Sequence, residues 1–135
     1  MTVEQINATV AELYPGTRNK CLDIGADFAL VTVEVAESDI RPGGFVSGPT
    51  QFALADCALW FLAFGALERI EPMALTSELS IRFLRPAQGE RLLCRAVLES
   101  RSRRSVVGTC HTWVDGEPDR ITSTAQGTYA VPLRR

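Results

Sequence analysis

Residues 47–67 read Ser47-Gly48-Pro49-Thr50-Gln51-Phe52-Ala53-Leu54-Ala55-Asp56-Cys57-Ala58-Leu59-Trp60-Phe61-Leu62-Ala63-Phe64-Gly65-Ala66-Leu67, and this stretch decides the fold. From Pro49 to Leu67 it is apolar on nearly every face, which predicts a helix buried all round rather than one lying on a surface. Ser47-Gly48-Pro49 reads as its start, with Pro49 at the favoured first position and Gly48 leaving the backbone open to close approach. Free N–H groups at such an end attract an oxygen that carries negative charge; the alternative is an ordinary helix start. One charge, Asp56, stands between Phe52 and Leu67. It lies eight residues past Gly48, about 12 Å along the axis at the rise of an α-helix. Capping and dipole effects fade before that distance. A buried carboxylate there calls for an ion pair, a hydrogen bond or a chemical task. A membrane span is the poorer reading, because the run falls short of about 20 residues and carries its charge near one end, beside Thr50 and Gln51.

On the N-terminal side, residues 2–14 read as a short peripheral amphipathic helix. Thr2 and Gln5 form a capping box, Val3, Ile6, Val10 and Leu13 supply the stripe, and Pro15-Gly16 ends it. Phe28 to Val35 reads as a strand, followed by a loop with Pro42, Gly43 and Gly44. After Pro72 the pattern turns to period two, through about 74–85, 90–100, 104–114 and 119–131, with turns at Pro86 to Gly89 and Asp115 to Pro118. Four successive strands suggest an antiparallel meander. Leu92, Cys94, Ala96 and Leu98 are expected opposite Thr112, Cys110, Gly108 and Val106, the small Ala96–Gly108 pair leaving room for the 49–67 helix to press on the sheet. One α+β domain then accounts for residues 1–135.

Composition narrows the function. The 135 residues are 46% hydrophobic and 22% charged, with a formal net charge of −2. That excludes a disordered tail or a polybasic nucleic-acid binder. The four cysteines, Cys21, Cys57, Cys94 and Cys110, contain no close-spaced pair, and His111 is the only histidine, so no zinc pattern can be assembled. No basic segment followed by an apolar stretch opens the sequence, so a cytoplasmic protein with reduced thiols is expected. Nucleophile–histidine triads would all depend on His111, and Gly-x-Ser-x-Gly is absent.

What remains is the pairing of an N–H donor with a carboxylate on one helix. Acyl transfer needs both, one to polarise a carbonyl and one to attack it or to activate water. Within one chain they stand about 12 Å apart and cannot both reach one carbonyl group. Two helices running antiparallel across a two-fold axis bring Gly48 of one subunit to Asp56 of the other. An obligate dimer with two composite sites is therefore expected.

Gly43-Gly44-Phe45-Val46-Ser47-Gly48-Pro49, then Phe52-Ala53-Leu54-Ala55-Asp56, then Glu78-Leu79-Ser80-Ile81-Arg82-Phe83-Leu84-Arg85-Pro86-Ala87 resemble the hotdog-fold acyl-CoA thioesterases of the phenylacetate-pathway (PaaI) type, over roughly residues 20–131. The resemblance implies an antiparallel sheet wrapped around a central helix. It implies Asp56 as nucleophile or general base and Gly48 N–H as the donor to the thioester carbonyl, from different subunits. It also implies a hydroxyl at Thr76 that orients water. Ser47 stands where the family has His, Pro49 replaces a glycine, and Arg41 lies near the position of a frequent Asn. The Gly48 donor survives, since proline removes only the next N–H, and Ser47 could hold a water or the acyl group. Hotdog hydratases need a histidine by the central helix, and this helix has none, with Phe61 at one such place.

Trp60 and Phe64 are candidates for an acyl pocket. Between residues 82 and 104 seven arginines face only Glu90 and Glu99, a local +5 within the −2 chain. Arg82, Arg85, Arg101, Arg103 and Arg104 are the candidates for the phosphates of coenzyme A, bound as part of the substrate with no further cofactor and no metal. The expected partners are an acyl-CoA and a second copy of the chain, with dimers pairing into a tetramer, and neither nucleic acid nor membrane. The rival function is a non-catalytic hotdog module that binds acyl-CoA or a protein partner.

Overall fold

The structure, a computed structural model, describes residues 1–133. Helix α1 (Val3–Leu13) opens the chain and is followed by β1 (Lys20–Ile24), β2 (Phe28–Glu34) and a 3-10 turn at Glu37–Asp39. The two-residue strands β3 (Ile40–Arg41) and β4 (Phe45–Val46) form a tight hairpin before helix α2 (Gly48–Leu67). Strands β5 (Leu75–Phe83), β6 (Arg91–Arg101), β7 (Ser105–Val114) and β8 (Ile121–Ala130) complete it. The main sheet has the order β1-β2-β6-β7-β8-β5, antiparallel throughout, and α2 packs against β2, β6, β7 and β8. This is the α+β, hotdog arrangement of a sheet around a central helix.

Only β6, β7 and β8 form the expected meander. Strand β5 pairs with β8 at the far edge, and β2 takes the place beside β6. Strands β7 and β8 stand between β5 and its sequence neighbour β6, so adjacency in the chain does not become adjacency in the sheet. Strand β1 adds an edge absent from the sequence reading. Its Cys21 is clamped by one α1 side chain, with Asn7 Nδ2 donating to Cys21 O (3.0 Å) and Cys21 N donating to Asn7 Oδ1 (2.8 Å). The α1 capping box is present, but only Ile6 and Val10 of its stripe are buried, and Leu13 is exposed.

Helix α2 is long and apolar enough to cross a membrane, and the fold explains that composition by burial: Leu54, Ala55, Ala58, Leu59, Phe61 and Leu62 lose all or nearly all contact with water. The room for it comes from glycines, though not from the expected pair. The β6–β7 register runs Leu92↔Val114, Ala96↔Cys110 and Leu98↔Gly108, two residues away from the pairing expected, with an irregularity between Leu98 and Ser100. Gly108 instead faces Gly127 across β7 and β8. A Cβ on Gly108 would lie 2.4 Å from Leu62 Cδ2, and one on Gly127 would lie 2.7 Å from Leu59 Cδ1. The two glycines form the flat on which the helix rests.

One surface remains apolar and open. Along the outer edge Met73 (67% exposed), Leu75 (64%), Phe83 (51%) and Leu84 (52%) continue into Phe52 (39%) on the one face of α2 that the sheet leaves uncovered.

Candidate active site

Ser47 is the N-cap of α2, Gly48 its first residue and Pro49 its second, one place later than expected. The Ser47 hydroxyl is occupied by that capping. Its Oγ accepts from Thr50 N (3.4 Å) and lies 3.0 Å from Thr50 Oγ1. Gln51 N–H donates to Ser47 O at 3.3 Å. Gly48 N–H has no acceptor among the described residues, as the geometry of a helix start predicts. A side chain at Gly48 would press on Phe83, whose Cζ lies 3.2 Å from an added Cβ.

Asp39 anchors this helix start. Its Oδ1 accepts from Thr50 Oγ1 (2.8 Å) and Arg18 Nη2 (2.8 Å), its Oδ2 from Ala36 N (2.8 Å), and its backbone carbonyl from Ser47 N (2.8 Å). Burial alone would push the Asp39 carboxyl up. The Ala36 N–H, the Thr50 hydroxyl and Arg18 outweigh it and hold the group below the usual carboxylate range.

The second centre is built where α2 passes the ends of β5 and β8. Asp56 is half-buried rather than enclosed, and it lines a cavity of about 330 Å³ together with Cys57, Trp60, Thr76, Tyr129 and Tyr14. Thr76 Oγ1 donates to Asp56 Oδ1 at 2.7 Å. Tyr129 OH donates to the same oxygen at 2.7 Å and lies 3.0 Å from Asp56 O. No donor among the described residues reaches Asp56 Oδ2.

Thr76 faces the helix because β5 is irregular. From Phe83 back through Ile81 and Leu79 every second residue pairs with a helix-facing position of β8, and regular alternation would place Ser77 and Leu75 there next. The register shifts between Thr76 and Glu78, so Thr76 is the residue opposite Tyr129. Burial is the main cause that keeps the Tyr129 phenol protonated, well above its ordinary range; the Thr76 hydroxyl acts against it, and the Asp56 hydrogen bond and charge reinforce it. Burial, then the Asp56 charge, likewise hold the Cys57 thiol protonated.

Asp56, Thr76 and Trp60 thus come together, and Ser47 and Gly48 of the same chain stand elsewhere, two turns back along the helix. Phe64 does not line the cavity. It is fully buried, edge-on to Trp60 at 5.1 Å and 5.7 Å from Phe61. The five candidate arginines are exposed and fall into two groups. Arg101, Arg103 and Arg104 lie in and beside the β6–β7 turn, which adjoins the Asp56 end of the sheet, since Val106 pairs with Tyr129 and Tyr129 with Thr76. Arg82 and Arg85 lie at the other end of β5, next to Phe83 and hence to Gly48; Arg85 borders a recess of about 200 Å³ with Phe45 and Arg120. Tyr129 and Asp39 were not foreseen. Among the described residues no three His, Cys, Asp or Glu side chains gather to hold a metal ion.

Residues 43–120 match the family model of the thioesterase superfamily. The chain is similar in structure to a protein of Silicibacter sp. TM1040 assigned as a thioesterase, with TM-score 0.86 and 29% identity over 98% of this chain and 92% of that one. It is also similar to a mutant of the phenylacetic acid degradation protein PaaI of Thermus thermophilus (TM-score 0.73, 22% identity, 92% and 99% covered). A third neighbour is smu.793 of Streptococcus mutans UA159, solved bound to acetyl CoA (TM-score 0.74, 19% identity, 89% and 93% covered). No curated protein matches the sequence. The chain belongs to the thioesterase superfamily and is a thioester hydrolase with the hotdog fold.

Proposed function

We propose that the protein hydrolyses acyl-CoA to the free acid and CoA at sites shared between two subunits, with Asp56 as nucleophile or general base and the partner's Gly48 N–H at the thioester oxygen. The observation that carries this reading is the Asp56 carboxylate in the cavity, with one oxygen held by two hydroxyls and the other free of donors. That free oxygen attacks the carbonyl carbon or takes a proton from a water that does. The negative charge that develops on the thioester oxygen is met by the N–H and the positive end of helix α2. The C–S bond then breaks: in the general-base route the leaving thiolate takes the proton that Asp56 removed from water, and in the nucleophilic route water hydrolyses the acyl–Asp56 anhydride, which releases the acid, restores Asp56 and supplies the proton taken up by the thiolate. A carboxylate and a backbone donor supply this chemistry without a further cofactor or metal.

The dimer reading gains support from β5, an exposed edge strand flanked by the open apolar surface. Thr76 and Phe83 are seven residues apart, about 23 Å along a strand. If β5 pairs antiparallel with its copy about a two-fold axis near Leu79 and Ser80, Thr76 and Asp56 come opposite the partner's Phe83, and with it the partner's Gly48. The same operation brings the partner's Arg82 and Arg85 towards Arg101, Arg103 and Arg104. Both arginine groups then flank one composite site, which suits the phosphates of CoA. The cavity itself is at the small end of ligand pockets, which span about 300–1,000 Å³, and suits the acyl group alone. Trp60 is its aromatic wall. We place the protein in the cytoplasm as a homodimer whose pairs associate further into a tetramer.

The test is a CoA-release assay over aliphatic and aromatic acyl-CoAs with the wild type and Asp56→Asn. Turnover on part of the panel, lost in the variant, supports the reading. Turnover that survives the substitution unchanged removes Asp56 from the reaction.

A further inference from the structure

One polar contact of the cavity involves a residue that neither the family motif nor the N–H and carboxylate pairing supplies. Tyr129 is buried (5% exposed) near the C-terminal end of β8, between Val106 of β7 and Thr76 of β5. Its hydroxyl lies 2.7 Å from Asp56 Oδ1 and 3.0 Å from the Asp56 carbonyl oxygen. One phenolic proton is therefore shared between the side chain and the main chain of the same residue, a three-centre arrangement. That clasp fixes the Asp56 rotamer. A carboxylate half open to solvent would otherwise turn freely, and here it is tied at both ends to a group in the rigid sheet.

We propose that Tyr129 is the positioning residue of the active site: it holds Asp56 Oδ1, together with Thr76, so that Oδ2 is the oxygen presented to the thioester or to the attacking water. The proposal rests on the reading of Asp56 as the reacting carboxylate. Two hydroxyl donors fill the lone pairs of Oδ1, so the only basic electron pairs left are on Oδ2. The tyrosine does not transfer a proton itself. Burial keeps the phenol protonated across the working range, and a hydroxyl that stays protonated serves as a fixed donor. Tyrosine fits the task because its ring fills the gap between β8 and α2 while its oxygen reaches the helix backbone. No shorter hydroxyl side chain at position 129 would span that distance.

Tyr129→Phe keeps the ring and removes only the oxygen, so it isolates this role. Measured with Asp56→Asn on the acyl-CoA that the wild type turns over fastest, the phenylalanine variant is expected to lose about 10–100-fold in kcat, the worth of a hydrogen bond to a charged group, with KM within about twofold of wild type. Wild-type kcat in Tyr129→Phe, alongside an inactive Asp56→Asn, overturns the positioning role and leaves the Asp56 reading intact. Wild-type turnover in Asp56→Asn removes both. A slower Tyr129→Phe whose KM also rises well beyond twofold identifies Tyr129 as packing only, which also overturns the proposal.

Discussion

Replacing Asp39 should loosen the start of α2, and the structure sets the size of the effect. The Asp39 side chain is 8% exposed and Arg18 is 44% exposed, so once the carboxylate is gone the guanidinium is readily rehydrated and the lost ion pair itself contributes little. The larger cost comes from Ala36 N–H and Thr50 Oγ1, both of which lose a 2.8 Å acceptor in a part-buried place. At about 1–3 kcal/mol for each unsatisfied group, Asp39→Ala costs about 2–6 kcal/mol. Asp39→Asn keeps one carbonyl oxygen and loses about 1–2 kcal/mol by the same reasoning. At about 4 °C per kcal/mol for a domain of this size, the alanine variant melts about 8–24 °C below wild type and the asparagine variant about 4–8 °C below. The effect has a pH signature. The folded Asp39 carboxyl sits below its ordinary value. The stability it adds is therefore fully present above the unfolded carboxylate value, about 4, and is lost as pH falls through the lower folded value. Thermal melts from pH 7 down to pH 2.5 should show the gap between wild type and Asp39→Asn constant down to about pH 4 and shrinking below it. An asparagine variant as stable as wild type at pH 7, or a gap that ignores pH, would refute the anchoring role.

Other predictions follow from packing and charge. Gly108→Ala places a Cβ 2.4 Å from Leu62 Cδ2 and 3.0 Å from the Val97 carbonyl oxygen, so thermal unfolding should show a loss of about 1–3 kcal/mol; no change would mean that α2 does not rest on that glycine. Replacing Arg101, Arg103 and Arg104 together by Ala should raise KM for acyl-CoA about 3–150-fold, at about 0.2–1 kcal/mol for each exposed charge pair. The increase should shrink in high salt and be absent for a thioester that lacks the nucleotide. Equal increases for both substrates would place the CoA phosphates elsewhere.

The helix that decides the fold was legible because twenty nearly uncharged residues have few homes other than a core, and Asp56 stood out against them for the same reason. The strands β6 to β8 were legible from period two and short turns. What eluded the sequence was decided by register. The place of β5 beside β8 depends on a long-range pairing that strand adjacency does not predict. The inward turn of Thr76 depends on one irregularity after it. Tyr129 reads as an ordinary strand tyrosine until its partner strands are known, and Asp39 as a loop acid until Thr50 and Ala36 are seen around it. Phe64 and Trp60 were indistinguishable as pocket residues, because a helix apolar on all faces carries no amphipathic signal to say which side meets the cavity.

The central claim is that each site takes its carboxylate from one chain and its N–H donor from the other. Mixing two inactive variants tests it most directly. Asp56→Asn removes the carboxylate. Gly48→Pro removes the donor at the first helical position, where proline is tolerated and where the preceding Ser47 is already extended (ψ 156°). With both variants folded and dimeric, they are co-expressed, and CoA release is measured on the mixed population. If the sites are shared, about half of the dimers are mixed and each holds one intact site of two, so about a quarter of wild-type activity returns. A mixture as inactive as its two parents would contradict the shared site.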